Sequence, residues 1–178
     1  MVMGVIELDK VRLDIAVRKG YRNWKSQFKE DFGPDTKPSD LSTKTLGLLA
    51  RGKDMSTFYF FDLIMNLENL GSGFEFDDLA PKDKMAVMDR YLFLLDRIRF
   101  EYMKRLGWLQ TYPGETFSLV ELVIRFDELA PPLQADRPLL RKDHEAYEAF
   151  SRMNDFEREE FIRKLIAKVL KGIQSTTL

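Results

Sequence analysis

The chain has no cysteine, a single histidine, no excess of either charge and no long apolar run. Each absence removes a class of function. Without cysteine there are no disulfides, thiol nucleophiles, iron–sulfur clusters or cysteine-ligated zinc. A serine or cysteine hydrolase would have to move its protons through His144 alone, and a two-histidine zinc hydrolase has no second ligand. His144 stands among Arg141, Lys142, Asp143 and Glu145, at the edge of an amphipathic segment, and reads as surface. The 28 basic and 29 acidic side chains nearly cancel, so the molecule as a whole has no bias toward nucleic acid or an anionic bilayer. No apolar run approaches the roughly 18 residues a membrane span needs; Phe58–Phe61 and Leu63–Met65 are split by Asp62 and are too short. The opening MVMGVIELDK carries Glu7 and Asp9 and no cationic stretch ahead of an apolar one, which predicts no secretory signal. A cytoplasmic chain is expected.

What is present is helical period. Pro81 to Leu106 is the clearest case, with Pro81 suited to a first turn and Gly107 to a stop. Met85, Met88, Leu92, Leu95, Tyr102, Met103 and Leu106 share a face, widened by Val87, Tyr91, Leu94 and Ile98. Such a helix is about 39 Å long and can act as the backbone of a small domain. Ser118 and Glu121 form a capping box opening a helix over Leu119–Leu129, ended by Ala130-Pro131-Pro132. Asp136 and Pro138 are expected to open a further helix burying Leu139, Leu140, Ala146, Tyr147 and Phe150. Asn154 with Glu157 starts the last helix, which carries Ile162, Leu165, Ile166, Val169, Leu170 and Ile173. Earlier, Leu41–Arg51 reads as a short helix, and Asp54 and Gly71 bracket a helix from Met55.

Near the N-terminus two periods compete. Val11, Leu13, Ile15 and Val17 alternate as in a strand, whereas Leu13, Val17, Tyr21, Trp24 and Phe28 make a longer helical face. One helix over Leu8–Asp31 is expected, although Gly20 weakens its interior. The fold expectation is therefore all-α: a single domain over residues 1–178, a bundle of about six or seven helices around the long helix near 81–106. Phe93 and Phe100 lie on the otherwise polar side of that helix. They ask for cover from a later helix or from a second subunit, which motivates a homodimer hypothesis.

Two stripes carry the functional argument. Asp62, Asn66 and Asn69 are spaced i, i+4, i+7 in a segment apolar almost everywhere else. Arg99 lies inside the apolar face of the long helix, and Asp62 is its nearest sequence candidate for an ion pair. Converging, the four residues would bind a small polar ligand. Otherwise they form a structural salt bridge or a thin exposed edge. Arg18, Arg22, Lys25 and Lys29 form a second stripe, at i, i+4, i+7, i+11, beside Tyr21, Trp24 and Phe28. It reads as a solvated face or as a surface for an anionic partner: an acidic protein, nucleic acid phosphates or an anionic bilayer. Acids at Glu68, Glu75, Asp77 and Asp78 cluster elsewhere, which also allows head-to-tail self-association.

Glu145 with Glu148, and Glu157 with Glu160, have the spacing of carboxylate metal ligands but occupy polar helix faces, so solvated surface is expected. Gly71-Ser72-Gly73 lacks a following Walker lysine. No catalytic residue, metal or cofactor is expected. The expected function is a non-enzymatic interaction protein, an adaptor or regulatory subunit whose partner is a protein, itself or another. The alternatives are a ligand site at Asp62, Asn66, Asn69 and Arg99, and, with less support, nucleic acid or another anionic partner at the basic helix.

Overall fold

Helices dominate, as the period of the sequence requires. A computed structural model of the chain describes residues 2–53 and 55–176, with side chains described for residues 8–53 and 55–172. The α-helices are α1 (Val2–Gly20), α2 (Arg22–Phe28), α3 (Thr43–Ala50), α4 (Met55–Leu67), α5 (Pro81–Arg105), α6 (Leu119–Ile124), α7 (Phe126–Ala135), α8 (Tyr147–Ser151) and α9 (Asp155–Thr176). Two 3-10 turns, Pro38–Asp40 and Gly73–Asp78, lie between them. A small antiparallel ribbon joins β1 (Leu109–Thr111) to β2 (Leu139–Leu140), with Leu109 opposite Leu140. Among the described residues no helix is long and apolar enough to cross a membrane.

α4 is the core of the larger part. Its Phe60, Leu63, Ile64 and Met65 are fully buried. α1 lies on one side of it, α5 on another, and the Gly73–Asp78 turn on a third. Gly20 explains itself here: a Cβ would stand 3.0 Å from Leu63 Cδ1 and 3.3 Å from Leu63 Cα, so glycine lets α1 close onto α4. Beside this contact Tyr21, Trp24, Phe28 and Phe32 nest against Tyr59 and Phe60. Trp24 meets Tyr21 edge-on at 5.2 Å and donates its indole N–H to the Tyr59 carbonyl at 2.8 Å. The helix expected over 8–31 is divided by a turn at Tyr21 and ends at Phe28, because Lys29 takes the left-handed conformation at φ 58°. Two bonds bridge the turn, from Tyr21 N–H to Val17 O at 3.0 Å and from Lys25 N–H to Tyr21 O at 2.9 Å. The strand pattern at Val11–Val17 loses to the helical one because Leu13 and Val17 reach the core together.

α5 is buried more completely than its pattern predicts, and on a shifted face. Val87, Tyr91, Leu94, Leu95, Ile98 and Tyr102 enter the main core, while Met85, Leu92 and Leu106 are exposed. Phe93 and Phe100 are covered within the chain: Phe93 meets Phe126 of α7 at 5.5 Å, and Phe100 packs near Tyr112 at 6.0 Å. That face therefore requires no second subunit. A second cluster, Met103, Leu109, Leu140, Phe150, Ile162, Leu165 and Ile166, joins the end of α5 to the ribbon, α8 and α9.

Three boundaries differ from expectation. The segment from Leu119 breaks at Arg125 into α6 and α7, and Pro131 and Pro132 lie inside α7 instead of ending the helix. Their missing N–H groups release the carbonyls of Asp127 and Glu128, two exposed residues whose carbonyls solvent can satisfy. The helix expected after Asp136 is instead strand β2, which takes up Leu139 and Leu140, and helix begins only at Tyr147. α4 is ended by Asn69, in the left-handed region at φ 58°, before Gly71 is reached. The expected caps at Ser118 and Asn154 are present, accepting the Glu121 N–H at 3.1 Å and the Glu157 N–H at 2.8 Å. Asp54 and the side chain of Ile173 lie outside the described residues.

Candidate functional site

Asp62 is buried and tied into the fold, Asn66 is half-buried beside it, and Asn69 is exposed beyond the end of α4. Asp62 is 1% exposed, and its carboxylate accepts from three donors. Oδ2 takes the Asn23 amide at 2.9 Å, and Oδ1 takes the Gly73 backbone N–H at 2.9 Å and the Asn66 amide at 3.2 Å. Asn66 also donates to the Asp62 carbonyl at 2.7 Å. One carboxylate thus pins α2 and the Gly73–Asp78 turn to α4. Gly73 is required for that approach, since a Cβ there would stand 2.9 Å from Asp62 N. A buried carboxylate is tolerated when donors surround it in this way.

Arg99 takes different partners. Its Nε donates to the Ala50 carbonyl at 2.8 Å and its Nη2 to the Arg51 carbonyl at 3.4 Å, which closes the C-terminal end of α3. Burial lowers its pKa. The structure therefore brings Asp62 and Asn66 together but takes Arg99 to another helix end. Asn66 and Asn69 instead line an open groove of about 580 Å³ against α1, with Arg12, Leu13, Ile15, Ala16, Lys19, Leu67 and Gly71.

Arg18, Arg22, Lys25 and Lys29 are all exposed on α1 and α2 and immediately after. None of the four side chains makes a hydrogen bond or ion pair among the described residues. Some cations further along the chain are paired, Arg90 with Glu68 at 3.0 Å, Lys104 with Glu115 at 2.8 Å and Arg163 with Glu159 at 2.7 Å, whereas Lys164, Lys168 and Lys171 on α9 are exposed without an ion pair among the described residues. Leu8, Val11 and Ile15 are also exposed on α1, at 58%, 52% and 42%. Of the separate acidic group, Glu68 is held by Arg90, while Glu75, Asp77 and Asp78 lie exposed on the 3-10 turn.

A polar cluster on the far side of α5 escaped the sequence reading. Arg97, 3% exposed, lies between the rings of Phe93 and Phe100 at 4.9 and 5.0 Å and donates to the Pro113 carbonyl at 2.8 Å. Glu101 accepts the Tyr112 hydroxyl at 2.7 Å, and Arg105, beside it, donates to the carbonyls of Ser39 and Leu41. Burial and the Glu101 carboxylate both push the Tyr112 hydroxyl far above its usual range. The signal was present: Arg97 falls between Phe93 and Phe100, with Glu101 at i+4 from it, on a face that otherwise looks solvated. His144 was expected at the surface but is half-buried. Its Nδ1 accepts the Ala146 N–H at 3.0 Å and its ring lies 5.3 Å from Trp108. Glu145, Glu148, Glu157 and Glu160 are exposed. Among the described residues no group of three or more His, Asp or Glu is placed to hold a metal. Comparison with protein-family models, with curated proteins and with solved structures gives no match.

Proposed function

We propose that the chain is a non-enzymatic interaction protein that binds an acidic protein surface through the outer face of α1 and α2. The observation that carries this reading is the row Arg18, Arg22, Lys25 and Lys29, exposed and without an ion pair among the described residues, in a chain of net charge −1. Cations left without internal partners favour an external carboxylate through long-range steering and contact pairing. A protein fits better than nucleic acid, because phosphate binding favours a broad basic surface and this row is narrow, with exposed apolar residues at one end. The test is titration of the full chain with fluorescent poly-L-glutamate at low and high salt. Binding should weaken steeply with salt and vanish in Arg18→Glu/Arg22→Glu, with an unchanged melting curve. Absence of binding at low salt, or its survival in the variant, removes the reading.

The α1–α4 groove supports a second reading, a small polar ligand with an anionic group. Arg12 and Lys19 form one wall and Asn66 and Asn69 the other, so cations and amides face the same space. Native mass spectrometry after mild purification should then show a reproducible adduct that is lost in Lys19→Glu/Asn69→Ala. A bare chain, or an adduct kept by that variant, counts against it.

A further inference from the structure

We infer that the acidic partner is itself an α-helix, apolar over one half and acidic over the other, laid along the outer face of α1 and α2. This rests on the proposed acidic-partner reading and specifies what the partner is. Leu8, Val11, Ile15, Arg18, Arg22, Lys25 and Lys29 follow one another at alternating steps of three and four. That is the spacing of a seam that faces a second helix without drifting around the first. All seven residues are exposed; six lie on α1 and α2, and Lys29 follows the end of α2 in the left-handed conformation at φ 58°. Leu13 and Gly20, on the opposite side of the same turns, pack toward α4, so the row runs along the outer side of α1, with Ile15 at the rim of the α1–α4 groove. Bonds from Tyr21 N–H to Val17 O and from Lys25 N–H to Tyr21 O bridge the turn between α1 and α2, and the row covers about 32 Å at the helical rise.

The chemistry of the seam changes once, between Ile15 and Arg18. Three apolar residues lie before that point and four cations after it. A helix lying on a bilayer needs apolar residues beneath its whole length, and a phosphate backbone needs cations along its whole length. The segregated order suits neither. A second copy is also a poor occupant. Parallel pairing of two such seams sets cations against cations, and antiparallel pairing sets Leu8 against Lys29. The acidic Gly73–Asp78 turn of another copy spans only about 12 Å, far less than the seam. A helix with apolar residues opposite Leu8, Val11 and Ile15 and acids opposite Arg18 to Lys29 satisfies both halves. Arg12 and Lys19 flank the apolar half and would meet acids beside the partner's seam. An antiparallel partner carries its acidic half at its own N-terminus, where the helix dipole favours it.

Two peptides of about 21 residues test this, matching the length of the seam. In the first, Glu occupies the seam positions of the N-terminal half and Leu those of the C-terminal half. The second has the same composition with Glu and Leu interleaved along the seam. Fluorescence anisotropy with the full chain should show the first binding at least about tenfold tighter. Ile15→Glu and Arg22→Glu/Lys25→Glu should each weaken it about tenfold, and a Lys-for-Glu version of the peptide should restore binding to the latter variant. Equal binding of both peptides, lost at high salt, overturns the helix inference and leaves the acidic-partner reading standing. Failure of both peptides and of poly-L-glutamate overturns both. Binding to phosphatidylserine vesicles with no peptide binding assigns the face to a membrane instead. A dimer by light scattering that Arg22→Glu/Lys25→Glu dissolves assigns it to a second copy.

Discussion

The two polar stripes of this chain have similar spacing and opposite fates. Asp62 and Asn66 sit on α4, where the carboxylate is surrounded by donors from Asn23, Asn66 and Gly73. Arg18, Arg22, Lys25 and Lys29 sit on α1 and α2, with no hydrogen-bonding or ionic partner for any side chain among the described residues. Polar groups whose bonds are closed inside the molecule report how it is held together. Polar groups left open report what it can meet. By that criterion the Asp62–Asn66 pair, the most unusual feature of the sequence, is structural, and the ordinary-looking basic row is the candidate for function.

The contrast sets an order of effects. Asp62→Ala leaves the Gly73 N–H and the Asn23 amide without their acceptor in a site closed to water, and should cost roughly 3 kcal/mol in urea denaturation. Gly73→Ala drives a Cβ to 2.9 Å from the Asp62 nitrogen and 3.1 Å from its Cα, where backbone cannot give way easily, and should cost about 2 kcal/mol in the same assay. Arg99→Ala removes two bonds from the end of α3 and should lower stability by roughly 1 kcal/mol, with early exchange of amides in that helix. Arg22→Glu/Lys25→Glu should change stability by less than about 0.5 kcal/mol, while removing the binding of acidic probes. If this last variant unfolds the protein and Asp62→Ala does not, the two stripes have been assigned the wrong way round.

The sequence carried the helices and the aromatic nest well, because Leu13, Val17, Tyr21, Trp24 and Phe28 repeat at a period only a helix can bury. It carried less where local signals point one way and tertiary pairing decides another. Leu139 and Leu140 follow Asp136 and Pro138, a plausible helix start, but they pair with Leu109 and Thr111, a contact no local pattern announces. Pro131 and Pro132 look like a stop, yet the break at Arg125 moves the helix start forward and leaves the exposed ends of two carbonyls to solvent. The surroundings of Asp62 were half legible. The spacing of Asp62 and Asn66 correctly puts them on one face. Asp62 was matched to Arg99 because both were the charged members of apolar faces, whereas neutral donors, Asn23 and the Gly73 N–H, satisfy the carboxylate and two carbonyls satisfy the guanidinium. Backbone groups have no signature in a residue list. Whether a cation is free is also invisible there, since it depends on where every carboxylate ends up.

The most direct test is a backbone amide NMR footprint of the full chain titrated with the segregated peptide. The account predicts shifts concentrated between Leu8 and Lys29, with the amides of Asp62, Gly73 and Arg99 unmoved. Shifts centred on Asp62, Gly73 and Arg99, with the Leu8–Lys29 amides silent, would contradict it.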